Sequence, residues 1–173
     1  MSRSLSLAFA LLAASAVAGC QNPVHENEVA ALGDEAPGVG PGPTHRPGQP
    51  CLVCHGGEGP GKTQFALAGT VYQIPIATVG MNGVTVKMTD VGKAVTTTTT
   101  NSAGNFYVAS SDYSPTYPVD VELDDGTLTN PMLTHIGRDG SCASCHFDPA
   151  GATSHGHVYL VGELTDLPDG GAP

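Results

Sequence analysis

Two runs in this chain pair thiols with an imidazole at one fixed spacing: Cys51-Leu-Val-Cys54-His55 and Cys142-Ala-Ser-Cys145-His146. Cys-x-x-Cys-His is the attachment signature of c-type haem. Each thiol can add to one vinyl group of the macrocycle, and the adjoining histidine is then placed to ligate the iron from the proximal side. The two runs predict two haem c groups. Cys51, Cys54, Cys142 and Cys145 are the expected thioether donors, and His55 and His146 the expected proximal ligands.

Other chemistries use paired cysteines. Four thiolates can hold a structural zinc ion, but here a long β-patterned region separates the two pairs. A thioredoxin-like pair needs a βαβ setting, and none is legible. Disulfides within each pair suit an oxidising compartment. None of these needs the adjoining histidine, which occurs both times.

Two irons would need two further axial ligands, and the chain has seven histidines. His45 and His135 are the first candidates, because Thr44-His45 precedes one run by the same kind of short, Gly-containing interval by which Thr134-His135 precedes the other. His155 and His157 follow the second run and are weaker candidates. Met88 alternates with valines and reads as core, while Met132 sits in a loop near the second run. Histidine on both sides of the iron predicts low-spin haems of lower potential than His/Met ligation. Arg46 and Arg138 adjoin the candidate distal histidines and could meet haem propionates through bidentate hydrogen bonds.

The fifth cysteine, Cys20, ends an N-terminal apolar run with one basic residue, Arg3, ahead of it. That layout is a secretory signal, too short for a membrane span. The Val17-Ala18-Gly19-Cys20 ending resembles a bacterial lipobox, which implies removal of residues 1–19 and acylation of Cys20. Gln21 at the next position implies, by the same resemblance, sorting to the outer membrane, on its periplasmic face or at the cell surface.

Composition bounds the rest. There is no Trp, aromatics are 5%, and 23 Gly and 14 Pro interrupt regular structure. The formal charge of −10 excludes a nucleic-acid partner, which would require a basic patch. It favours redox partners with a basic docking face.

Residues 20–44, rich in Pro, Gly and acids, read as a flexible tether with a reach on the order of 25–30 Å. Residues 45–64 form the first haem segment. From 65 to 130 the pattern has period two: Val84, Val86 and Met88 share one face, and Val119, Val121 and Leu123 alternate with acids. Leu67–Tyr72 and Asn105–Val108 fit the same scheme, and the Thr-rich run 96–100 predicts an exposed strand. Residues 131–165 hold the second haem segment, with a closing strand in 157–161, and 166–173 read as a disordered tail.

The fold class expected is mainly β: a small antiparallel β-sandwich flanked by two loop-rich, short-helix haem c segments. Gly69-Thr-Val-Tyr72, Gly83-Val-Thr-Val86, the Thr100–Tyr107 stretch and Tyr117-Pro-Val-Asp-Val121 resemble the carboxypeptidase regulatory-like (transthyretin-like) sandwich. The resemblance implies a scaffold and no catalysis. The function expected is a lipid-anchored dihaem electron carrier of the bacterial envelope. Two alternatives stand beside it. One is a haem peroxidase or small-ligand reductase with one open iron, using His135 and Arg138. The other is a haem-bearing adhesion or assembly module.

Overall fold

Alternation of apolar and polar residues draws the middle of the chain into two packed sheets. The structure, a computed structural model, describes residues 22–161. The leader, Cys20 and the tail 166–173 lie outside the described residues. Strands β1 (Phe65–Tyr72), β2 (Thr85–Asp90), β3 (Val95–Thr99), β4 (Asn105–Ala109), β5 (Val119–Asp124), β6 (Thr129–Pro131) and β7 (Val158–Tyr159) are joined mostly by short turns. They form a three-stranded sheet ordered β4-β1-β7 and a four-stranded sheet ordered β3-β2-β5-β6. The fold is mainly β and sandwich-like, as the period-two pattern predicts. One pairing departs from the antiparallel expectation: β7 runs parallel to β1, with Val71 opposite Val158 and Tyr72 opposite Tyr159.

The core lies between the sheets. Val84, Val86, Met88, Val119 and Leu123 are buried and meet Leu67 and Val71 of β1 and Phe106 of β4. Burying each such side chain contributes about 1.5–3 kcal/mol before entropy is counted. Met88 is wholly enclosed on β2 and packs as core. β3, the Thr-rich strand, is an edge strand that alternates exposed and half-buried residues.

β1 is the exception to half-burial: every residue from Leu67 to Tyr72 is buried. Leu67 and Val71 face the core. Thr70 and Tyr72 are covered instead by Gly48, which leads into the first Cys-x-x-Cys-His run, and Tyr72 also by His157 beyond the second.

The stretch expected as a flexible tether contains a helix, α1 (Pro23–Ala31). Its signals are local. Asn22 caps it, accepting from the His25 backbone N–H at 3.3 Å, and Pro23 supplies a preset φ at the first position. Arg46 then holds its far end. The guanidinium donates to the Leu32 carbonyl at 3.2 Å and the Gly33 carbonyl at 2.6 Å, and lies 3.8 Å from Glu35. A cation at a helix C-terminus also suits the helix dipole.

Candidate metal centres

The first Cys-x-x-Cys-His run is a single helical turn, α2 (Cys51–His55), preceded by Pro50 and closed at Gly56, whose N–H donates to the Leu52 carbonyl at 2.7 Å. A turn places residues four apart on one side, so Cys51 and His55 share a face. The His55 Nδ1 lies 2.7 Å from the Thr63 carbonyl. A carbonyl only accepts, so Nδ1 carries the proton and Nε2 keeps the lone pair a metal requires. Phe65 stacks on the His55 ring at 4.1 Å between centroids and 9° between planes. Tyr107 stacks in turn on Phe65 at 4.4 Å.

Opposite His55 stands His45. Their ring centroids are 6.0 Å apart and the planes are inclined by 39°. The His45 Nδ1 lies against the Gly42 backbone, meeting both its N–H and its carbonyl. The loop carrying His45 is fixed by β1 and β4. Thr70 Oγ1 accepts from the Gly48 N–H at 2.7 Å and donates to Asn105 Oδ1 at 2.7 Å. Asn105 Nδ2 donates to the His45 carbonyl at 2.9 Å.

The second run repeats the arrangement on a tighter turn. Cys142–Ser144 form a 3₁₀ helix, and the His146 N–H donates to the Cys142 carbonyl at 2.9 Å. The His146 Nδ1 lies 3.0 Å from the Gly156 carbonyl. Gly156 has φ +74°, a conformation that favours glycine. Burial holds the His146 pKa below the ordinary histidine value, so the neutral, ligating form prevails.

Opposite His146 stands His155, with centroids 5.7 Å apart and planes inclined by 45°. The His155 N–H donates to the Cys145 carbonyl at 3.0 Å. Buried Ser154 clasps the same turn. Its Oγ accepts from the Phe147 and Gly156 N–H groups at 2.8 and 3.1 Å and donates to the Phe147 carbonyl.

Each pair has the spacing that two imidazoles take on either side of one metal ion. About 2 Å per metal–nitrogen bond and about 1 Å from nitrogen to ring centroid give roughly 6 Å between centroids. The donor set fits haem iron held between two histidines. Among the described residues no group of three or more His, Cys, Asp or Glu side chains converges on one point. The thiols Cys51, Cys54, Cys142 and Cys145 are all free of disulfides. Burial pushes the Cys51 thiol up to about 11 and the Cys142 thiol up to about 12. Such thiols are neutral at pH 7.

The remaining expected residues lie elsewhere. His135 is exposed, and the next residue, Ile136, exchanges backbone hydrogen bonds with Val119 at 2.9 and 3.0 Å. That pairing ties the His135 segment to the four-stranded sheet. The echo between His45 and His135 in the sequence is thus not an echo in space: His155 occupies the place opposite His146. His157 is buried, stacks on Tyr72 at 3.9 Å and pairs through Nε2 with Asp148 at 2.9 Å. Arg46 is committed to α1. Arg138 lines an open cleft of about 480 Å³ together with Leu52, Phe65, Tyr113 and Tyr117.

Sequence reasoning did not single out Thr70, Asn105, Ser154, Thr63 or Gly156. Asn105 reaches a carbonyl sixty residues away, and no local pattern announces such a contact. Ser154, adjoining His155, is the one that proximity could have flagged. No protein-family model, no curated protein and no solved structure matches this chain.

Proposed function

We propose that this chain is an exported, lipid-anchored dihaem c-type cytochrome that passes electrons at the bacterial cell envelope, with the sandwich as scaffold. The observation that carries the reading is the imidazole pair beside each Cys-x-x-Cys run: His45 with His55 at 6.0 Å and His155 with His146 at 5.7 Å. Cys51 and Cys54 would hold one haem by thioether bonds, and Cys142 and Cys145 the other. When bound, haem supplies a one-electron couple.

The chain's own residues tune that couple. The Thr63 and Gly156 carbonyls fix the tautomers and orientations of His55 and His146, which raises their basicity as ligands. Imidazole on both sides leaves no place for a small ligand and lowers the potential relative to His/Met ligation. Both effects favour a carrier over peroxide chemistry. Acylated Cys20 would anchor the domain in the outer membrane, with α1 and the loop after it as the connection. The charge of −10 suits brief docking of basic redox partners.

The test is a pyridine haemochrome count on protein matured with a c-type haem assembly system. Two haems per chain, both low-spin, are expected. No haem, with zinc bound instead, would overturn the reading.

A further inference from the structure

We propose that β1 seats both haem attachment segments side by side, making the two haems one closely coupled redox unit. This rests on the cytochrome reading above and goes beyond it. Three consecutive residues carry the argument. The Ala68 N–H donates to the Gly140 carbonyl at 2.9 Å, and Ala68 pairs with Ser141, the residue before Cys142. Gly69 lies beneath Cys142 itself: a Cβ there would stand 2.7 Å from the Cys142 Cβ and 2.8 Å from its Sγ. Thr70 receives the Gly48 N–H at 2.7 Å, three residues before Cys51.

A strand rises about 3.3 Å per residue, so Ala68 and Thr70 are about 7 Å apart. The two lead-ins are thus held close along one rigid, buried strand, Cys142 against the face of Gly69 and Gly48 against the face of Thr70. The open cleft repeats the relationship, since Leu52 of α2 and Gly56 just after it line the cleft together with Arg138, Asp139 and Gly140. Glycine at position 69 suits this seat, because a Cβ there would crowd the Cys142 Cβ and Sγ and force them to shift.

With both haems bound, an electron passing between them would oxidise one and reduce the other, with no bond made and no proton taken up. The charge gained by one would oppose reduction of the other.

The test uses the doubly loaded protein. Soret-region circular dichroism is expected to be bisignate, and the ferric low-spin EPR signals to be broadened by mutual dipolar coupling. The spectra should differ from the sum of the Cys51→Ala/Cys54→Ala and Cys142→Ala/Cys145→Ala proteins, each carrying one haem. If those variants fail to fold, the dichroism and EPR of the parent protein decide alone. Two haems with a single-signed Soret band and unbroadened signals would overturn the coupling and leave the cytochrome reading intact. A haem count of zero or one would overturn both.

Discussion

Asn105 and His45 are sixty residues apart in the chain, yet the Asn105 amide donates to the His45 carbonyl at 2.9 Å. The same amide group receives Thr70 Oγ1 on its oxygen and lies 3.3 Å from the Pro43 carbonyl. One side chain on β4 thus fixes the loop that presents an imidazole to His55. In Asn105→Ala these partners are left unpaired, at a cost of about 1–3 kcal/mol. The expected outcome is an unchanged haem count with one of the two haems turning partly high-spin. Retention of a fully low-spin ferric EPR spectrum would assign the His45 loop's order to other contacts.

His155 and His135 make opposite predictions. On the dihaem reading, His155→Ala should remove the sixth ligand of the haem proposed on Cys142 and Cys145 and convert it to high spin. His135→Ala should change nothing in the spectrum, since His135 is exposed and its segment is tied to Val119. A high-spin signal from the His135 variant alone would reverse the assignment.

Thiol reactivity in the haem-free chain follows burial. A thiol with a pKa of about 11 or 12 is about 0.1% or less thiolate at pH 8, and only the thiolate alkylates. Cys142 keeps some surface, but its sulfur is enclosed against Gly69. Iodoacetamide at pH 8 should therefore label exposed Cys145 first and Cys51 and Cys142 last, with their rates rising about tenfold per pH unit. Peptide mapping by mass spectrometry reads the order. Equal labelling of all four would show that these two sulfurs are not buried in the absence of haem.

Asp90, buried at the end of β2, sets a pH dependence of stability. Its carboxylate accepts from the Thr116 N–H at 2.9 Å and the Ala94 N–H at 2.8 Å. These hydrogen bonds, that from Thr116 foremost, hold its pKa below the ordinary carboxylate value. A depressed folded pKa gives stability that is complete above the unfolded value of about 3.9 and is lost as pH falls through the folded one. The gap in unfolding temperature between the parent and Asp90→Asn should be full at pH 6 and close toward pH 2. A gap independent of pH would mean that charge plays no part.

The sequence by itself determined what is local. Period-two alternation at Val84, Val86, Met88, Val119 and Leu123 dictates strands, because a strand alternates its faces and one face must leave water. The Cys-x-x-Cys-His spacing sets each histidine beside its cysteines, because one turn of chain brings Cys51 to His55 and Cys142 to His146. Asn22 and Pro23 carried a legible helix start, which the acidic, Pro-rich composition around them masked.

Only the tertiary structure decided which imidazole faces which. The resemblance between the His45 and His135 intervals points to one partner for His146, and β-pairing of Ile136 with Val119 gives another, His155. Arg46 likewise has two uses open to it in sequence, and the nearness of the α1 C-terminus selects one. Gly69 reads as an ordinary residue of a strand until the chain folds and sets Cys142 against it. These outcomes depend on contacts between residues far apart in the chain, whose geometry no local spacing encodes.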